Sequence, residues 1–442
     1  MPFTTGQLEQ YISGQLVGRG DVECFGAEID TRRVLNGKVF FALKGEHADG
    51  HDFIEDAIQK GCSAVVVSKP VKCDVPVIIV DCPRTALFEL ALKRRAFVTG
   101  TVIAITGSVG KTTTKNLIAA LLGSDAVSSP KSFNNELGIP LTMLDAEGAP
   151  FVVIEVGANE VGEIPKLATL VQPDIAVLTA IAPAHLEGFG SIEAIINEKT
   201  SLLESLSEGG TAITGQNVDI SQASICCPVK SIDELSWTFS QTGLGQGVIK
   251  MDGEDCVLQL LGEHNAMNGA IALLATEEAL KHSNGSFSRT SLQKKLTKVE
   301  PTTGRMSSHE VDGVTFINDA YNANPTSMNA LLTFASRCEA IRKVLVLGDM
   351  LELGCEEEYE HEQLVHQIVS VNADVVCLVG DAMKRTFNEI PESTYFQQAS
   401  QCEMDAIAAF LNQGDIVFLK GSRGIGLDRV IDSFAQRKVL HP

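Results

Sequence analysis

No apolar run in the sequence approaches the roughly 18 residues needed to cross a bilayer as a helix. The opening stretch, "MPFTTGQLEQYISG", lacks both the basic start and the apolar core of a secretory signal. Among 11 cysteines there is no Cys-x-x-Cys pair, and only Cys226 and Cys227 stand together. Reduced thiols and a cytoplasmic protein without stable membrane insertion are therefore expected. Basic charge is in deficit: 35 Lys and Arg against 56 Asp and Glu leave a formal net charge of −21. Such a surface repels nucleic-acid backbones and anionic membranes, so no nucleic-acid partner is expected. An anionic small substrate would instead need locally gathered basic residues or Mg²⁺. There is no Asn-Lys-x-Asp guanine motif, which disfavours a GTPase, and no internal repeat or low-complexity tract.

What is present begins with length. A chain of 442 residues is too long for one core and suggests about three domains. From about residue 98, short apolar runs alternate with stretches of helical length: "VIAIT" (102–106), "FVVIEVG" (151–157), "IAVLT" (175–179), then "VTFIND" (314–319), "KVLVLGD" (343–349), "VVCLVG" (375–380) and "DIVFLKG" (415–421). Unbroken apolar runs suit strands buried on both faces, and the alternation predicts mostly parallel α/β sheets. Before residue 98, "KVFFAL" (38–43), "AVVVS" (64–68) and "PVIIVD" (76–81) outline a smaller α/β unit. "VEPTTGR" (299–305) reads as a hinge. The expected division is 1–97, 98–303 and 304–442.

The stretch "AITGSVGKTTTKN" (104–116) follows the first of the later strands. A full G-x-x-x-x-G-K-[ST] match would need glycine at Ile105; here the first glycine is Gly107. The physics survives the shift. Gly107 and Gly110 let the backbone N–H groups of a loop through Ser108 turn toward an anion, and a helix starting near Lys111 turns its positive end to the same place. Lys111 would meet the β- and γ-phosphates and the Thr112 hydroxyl a Mg²⁺ ion, with Thr113 beside it. A plain glycine turn between strand and helix is the alternative.

Two further strands end in polar groups. Glu155 sits inside an apolar run, where an unpaired carboxylate is costly, and His185 follows "IAVLT" in "AIAPAHLEGFGS". Ligands of such sheets bind at the carboxyl ends of strands, so Lys111, Glu155 and His185 can converge on a metal–triphosphate. Taken singly, Glu155 fits an internal ion pair equally well and His185 a loop residue. In "SIEAIINEKTSLLESL", Ser191 can cap a helix whose Ile192, Ile195, Ile196, Leu202, Leu203 and Leu206 share an apolar face. Lys199 falls on that face. It must snorkel, pair or change its charge, and a neutral amine near Mg²⁺ can take up CO₂ as a carbamate.

In this order the motifs resemble those of the ATP-dependent Mur ligases, which build the peptide stem of peptidoglycan. The T-G-[ST]-x-G-K-[ST] loop of that family matches Thr106–Thr112. The resemblance implies a three-domain α/β enzyme: a small N-terminal UDP-binding domain, a central ATPase-type parallel sheet and a C-terminal Rossmann-like domain that takes the incoming amine. It implies metal-organising roles for Thr112, Glu155, His185 and Lys199, the last carbamylated, and catalytic roles for Lys111, His185 and Lys199. "EKTSLL" departs from the lysine-glycine-glutamate of many relatives.

Within the family, "SFNNELGIPLTML" (132–144), "INDAYNANPTSMNALL" (317–332) and "VLGDMLELG" (346–354) resemble the branch that adds D-alanyl-D-alanine. The implied contacts are His264, Asn265 and Asn268 on the adenine side, and Arg305, Asp319, Tyr321 and Asn324 around phosphates and ribose. Asn134 and Asn135 would lie on the substrate side, and Thr31, Arg32 and Lys44, from "IDTRRV" and "ALKGEHADGHDF", at the UDP group. Arg423 in "LKGSRGIGLDRV" would meet the dipeptide or ATP, although relatives often read Ser-Arg-Ser-Met there. Without the resemblance, "LGEHNAMNGAIA" is equally a capped helix start and "DAYNANP" an Asn/Pro turn. The expected reaction uses ATP and two Mg²⁺ ions. UDP-N-acetylmuramoyl-tripeptide is activated as an acyl-phosphate and then attacked by the D-alanyl-D-alanine amine. A monomer is expected. A folylpolyglutamate- or cyanophycin-type ligase and a non-catalytic nucleotide-binding protein remain as alternatives.

Overall fold

The computed structural model describes residues 1–440 except His47, Leu244 and Asp252; His47 belongs to the 42–53 segment singled out above and lies outside the described residues. Three main sheets succeed one another along the chain. The first has five strands in the order Gln15–Val17, Val77–Ile79, Ala64–Val67, Val39–Phe41, Ala27–Glu28. It is parallel except where Gln15–Val17 joins its edge. Val39–Phe41 and Ala64–Val67 are fully buried, as their unbroken apolar runs require.

The central sheet has six strands, all parallel: Val229–Ser231, Thr211–Thr214, Ile175–Leu178, Thr101–Thr106, Phe151–Glu155, Ala126–Ser128. Thr101–Thr106 lies between Ile175–Leu178 and Phe151–Glu155. The loops leaving these three carboxyl ends therefore open at one place, the position where doubly wound sheets bind ligands. One face of this sheet packs Ile103, Ile105 and Val177 against Leu117, Ile118 and Leu121 of the Lys111–Leu122 helix, and against the Glu263–His282 helix. From Asn268 to Ala279 every residue of that second helix is buried. A helix buried on all sides belongs inside a domain, and its buried Glu277 and Glu278 are paired with Arg289 and with Lys230 and Lys281.

The last sheet also has six strands: Ser307–Val311, Val314–Asn318, Asp415–Lys420, Arg342–Gly348, Val375–Val379, Thr394–Phe396, with only the Ser307–Val311 edge antiparallel. Its Val314–Asn318 and Asp415–Lys420 strands are adjacent and parallel, so Asp319 and Lys420 emerge side by side.

Two expectations change. Ile192 is 43% exposed, because it occupies the first turn of the Ile192–Glu204 helix, while Ile195, Lys199, Leu202 and Leu203 are buried further along it. Leu206 is buried but lies beyond that helix's end. A three-stranded antiparallel sheet, Thr238–Gln241, Gln246–Met251 and Glu254–Leu261, packs beside the central sheet without a forecast. Among the described residues no helix is long and apolar enough to cross a membrane.

Candidate active site

The phosphate loop joins the Thr101–Thr106 strand to the Lys111–Leu122 helix. Its glycines are required by space as well as by backbone angle. Gly107 has φ +144°, and a Cβ there would stand 2.1 Å from Thr179 Oγ1; Gly110 has φ +85°, and its Cβ would stand 2.5 Å from Asn268 Oδ1. The loop is thus pressed between the end of the neighbouring strand and the buried helix, and only glycine leaves its backbone free to follow that path. Ser108 is fixed by exchanging hydrogen bonds with Ala182, Oγ to O 2.8 Å and N to Oγ 3.0 Å.

Lys111 Nζ donates to the loop's own Gly107 carbonyl at 2.6 Å. Burial pulls its pKa below the ordinary value, Glu155 opposes the shift, and Arg305 adds to it. Thr112 is 3% exposed and its hydroxyl donates to Glu155 Oε2 at 2.7 Å. Glu155, 1% exposed, also accepts from Asn134 Nδ2 at 2.8 Å. The buried carboxylate is therefore satisfied by a hydroxyl and an amide, and among the described residues it has no direct ion pair. Lys115, one turn along the helix, donates to the carbonyls of Ser129 and Lys131 at 2.5 and 2.6 Å and so fixes the start of the loop carrying Asn134 and Asn135.

On the other side of the loop, His185 (φ +54°) caps a short turn, Leu186–Phe189, after the Ile175–Leu178 strand. Its Nδ1 lies 2.5 Å from Glu352 Oε2, a carboxylate of the last sheet's domain. Burial lowers the imidazole pKa; Glu352 opposes the shift, while Lys111 and Lys199 add to it. Lys199 is 1% exposed, with its Nζ 5.4 Å from the centroid of the Phe189 ring. Stripped of solvent and repelled by Lys111, its amine is brought down to about 7. This lysine does not snorkel, and among the described residues its amine has no ion pair or hydrogen bond.

The C-terminal sheet closes the cleft. Arg305 Nη2 donates to Thr112 Oγ1 at 2.9 Å, and its guanidinium stacks 4.2 Å from the centre of the Tyr321 ring. Tyr321 donates its hydroxyl to Ser132 Oγ at 2.7 Å. Lys420, 1% exposed, reaches Asp319 Oδ2 at 2.5 Å and the Asn322 carbonyl at 3.0 Å. Asn324 caps the Pro325–Arg337 helix in a reciprocal capping box with Ser327. Asn265 and Asn268 lie buried on the Glu263–His282 helix, joined to each other at 3.1 Å. That helix starts at Glu263, with Gly262 at its N-cap and no side-chain cap, so "LGEHNAMNGAIA" is a helix start without a capping side chain. Burial lowers the His264 pKa, with Asp319 opposing and Lys420 adding.

The resulting cleft, about 660 Å³, is lined by Ser108, Gly110, Lys111, Thr112, Thr113, Asn134, Asn135, Glu155 and His185 from the central part, by His264, Asn265 and Asn268, and by Arg305, Asp319, Tyr321 and Asn324. Gly107 underlies the loop and Lys199 sits behind His185, outside that lining. Thr31, Arg32, Lys44 and Arg423 also fall outside it. Thr31 is buried and its carbonyl accepts from Lys60; Arg32 is exposed and bound to Asp30; Lys44 is exposed; Arg423 pairs with Asp428. Lys115, Ser132, Glu352 and Lys420 belong to the same constellation and were not singled out from sequence as site residues. Lys420 ends the Asp415–Lys420 strand and Glu352 follows the Arg342–Gly348 strand, so both carry that signal; Lys115 and Ser132 carry none.

Thr112 and Glu155 offer oxygens, which suit Mg²⁺. Among the described residues no three His, Cys, Asp or Glu side chains cluster as a metal site; beside His185 stand the Glu352 carboxylate and the Lys199 amine.

The sequence matches three family models: the Mur ligase middle domain over residues 105–276, the Mur ligase glutamate ligase domain over 304–423 and the Mur ligase family catalytic domain over 26–95. A UDP-N-acetylmuramoyl-tripeptide–D-alanyl-D-alanine ligase of Haemophilus influenzae is 32% identical, covering 98% of this chain and 99% of its own. The chain belongs to the Mur ligase family. A relative of the same name from Bacillus subtilis is 33% identical over 92% of each chain. A crystal structure of MurF from Acinetobacter baumannii superposes on this Mur ligase with a TM-score of 0.85 at 28% identity, covering 99% of both chains. The three-part α/β architecture expected for a Mur ligase is the one observed.

Proposed function

We propose that this Mur ligase joins D-alanyl-D-alanine to UDP-N-acetylmuramoyl-tripeptide, converting ATP to ADP and phosphate in cytoplasmic peptidoglycan precursor synthesis. The observation that carries the reading is the single cleft in which a phosphate loop, a buried carboxylate and a basic C-terminal wall meet. Relatives bearing that activity in their names match over nearly the whole chain. The domain division proposed is 1–97 for the UDP group, 98–303 for ATP and 304–442 for the amine donor.

A carboxylate oxygen is a poor leaving group, so the acceptor must first be activated. Its carboxylate attacks the γ-phosphorus of ATP, forming an acyl-phosphate and releasing ADP. The dipeptide amine then attacks the acyl carbon, the tetrahedral adduct collapses, and phosphate leaves. Lys111 exchanges its Gly107 carbonyl for phosphate oxygens and follows the charge that develops on the transferring group. Arg305 approaches the same group from the C-terminal wall, while Asp319, Asn265 and Asn268 hold the nucleoside. Asn134 and Asn135 orient the acceptor. Thr112 and Glu155 would hold one Mg²⁺, and His185 with Lys199 a second; bound Mg²⁺ offsets repulsion between the carboxylate and the triphosphate. Neutral Lys199 adds to CO₂ through its nitrogen lone pair, losing one proton and becoming an anionic carbamate. Thr31, Arg32 and Lys44 are assigned to the UDP group and Arg423 to the donor side. The protein acts as a monomer.

Phosphate release from ATP and Mg²⁺ that requires both the UDP-tripeptide and D-alanyl-D-alanine, with the UDP-pentapeptide seen by mass spectrometry, is the expected result. Release with another amine donor would move the specificity to a related amide ligase, and no release with any acceptor would leave only nucleotide binding. Lys199→Ala should be inactive and partly rescued by short carboxylates; full activity without rescue would overturn the carbamate.

A further inference from the structure

Glu352 lies in "VLGDMLELG", on the loop that leaves the Arg342–Gly348 strand, and reaches His185 across 167 positions of sequence. The loop is held on several sides. The Met350 N–H donates to His361 Nε2 at 3.1 Å, the Leu351 N–H to Ser422 Oγ at 2.9 Å, and the Asp349 carbonyl accepts the Ser422 N–H at 3.0 Å. Next to Glu352, Gly354 comes so close to the other domain that a Cβ would lie 3.1 Å from Glu187 Cα. Glu352 itself has φ +64° and His185 φ +54°. Two non-glycine residues in the left-handed region, on separate domains, thus bring a carboxylate and an imidazole to 2.5 Å.

Strain of this kind persists where something else is gained. Stability is a poor candidate for the gain, because the Glu352 side chain is 58% exposed and exposed ion pairs contribute little. Ring orientation is a better one. A carboxylate on Nδ1 keeps the proton there and leaves the Nε2 lone pair for a metal, the usual arrangement behind a ligating histidine. We propose that Glu352 is the positioning residue for His185, so that the metal position built on His185 and Lys199 is complete only when the C-terminal domain is docked. The inference rests on the metal placement proposed above. It makes ion binding in the central domain a reporter of closure, since the orienting carboxylate arrives from a different domain.

The test uses the full chain with a non-hydrolysable ATP analogue and Mn²⁺ as the probe, counting bound ions by electron paramagnetic resonance. The wild type should hold two Mn²⁺ per nucleotide. Glu352→Ala should weaken the second ion roughly ten- to a hundredfold, leave the first ion and the nucleotide affinity unchanged, and lower kcat while raising the Mg²⁺ requirement. Glu352→Gln, which still accepts from Nδ1–H, should restore most of the second site. Scattering in solution should show the same compaction with nucleotide in all three proteins. Unchanged Mn²⁺ binding in Glu352→Ala, failure of Glu352→Gln to restore it, or a single ion in the wild type would each overturn the proposal. Loss of compaction in Glu352→Ala would do so too, by making Glu352 a closing latch. None of these readouts needs the acceptor or the dipeptide, so an error in the assigned substrates would appear separately, as missing ligation product.

Discussion

At the phosphate loop, Thr112 is held by Glu155, 43 residues away, and by Arg305, 193 residues away. In the N-terminal domain, Arg32 is held by Asp30, two residues away, with its own side chain 88% exposed. The first arrangement exists only when three stretches of chain have folded together, and it sets oxygen and nitrogen positions before a ligand arrives. The second forms within one turn and gives way readily to a competing anion. Preorganisation is greatest at the phosphate loop, where phosphoryl transfer demands it, and on the proposed placement of Arg32 at the UDP group a locally paired arginine suffices for recognition.

That contrast concerns ligand groups, not scaffolds, and the strongest test separates the two. The N-terminal domain is anchored to the central one by Arg94 and Glu147, 2% and 4% exposed and 2.5 Å apart. Arg94→Ala leaves the buried Glu147 carboxylate with the Met1 amino group still paired to it at 2.7 Å and should cost about 1.5–3 kcal/mol of stability, read by denaturant unfolding; a loss below about 1 kcal/mol would show the N-terminal domain to be as loosely held as Arg32. Lys111→Ala should lower kcat by roughly 10²–10³ with the fold intact. Retained ATP-dependent ligation would remove the premise that the phosphate loop is the prepared half. Arg305→Lys keeps the charge but loses the stacking on Tyr321 and the planar donor, which should cost about 1–2 kcal/mol, or roughly five- to thirtyfold in kcat/KM.

The smallest effect lies at Asp30, whose carboxyl is held down to about 2, first by its hydrogen bonds from the Arg32 side chain. A depressed carboxylate contributes stability above its ordinary value, and that contribution is lost as the pH falls from about 4 to about 2; at this exposure it should stay under about 1 kcal/mol. Carbon chemical shifts should place the Asp30 midpoint near 2 in the wild type and back toward its ordinary 3.8 in Arg32→Ala. Saturation with UDP substrate should raise it in the same direction if diphosphate draws Arg32 away. A midpoint indifferent to substrate would remove Arg32 from the UDP site.

The same contrast governs what could be read from the sequence. The strands around Thr101–Thr106 were legible because burial on both faces forces unbroken apolar runs. Lys199 was legible for the opposite reason, as a cation on a face that should have none, and the structure leaves it without a polar partner. The small antiparallel sheet over 238–261 was missed because "TFSQ" has no buried position and a glycine and a lysine interrupt the apolar residues of "QGVIKM". Ser132 and Lys115 act through partners brought near only by tertiary folding, and no local pattern marks them; Glu352 sits past a strand end, but its partner His185 is 167 positions away. Ile192 followed the helical period and still faces solvent, since a helix's first turn need not reach the core its later turns fill.

The helix Glu263–His282 gives the nucleotide a long reach. At 1.5 Å per residue its 20 residues extend about 30 Å. It begins beside the cleft at His264, presses Asn268 against Gly110, and runs buried to Ala279. Its middle cannot open without exposing the core of the central domain, so its amides exchange with solvent only in large-scale openings. On the nucleotide placement proposed above, a ligand at its first turns stabilises the closed state by mass action, and hydrogen exchange should then slow along the whole rod, out to residues far from any contact with the ligand.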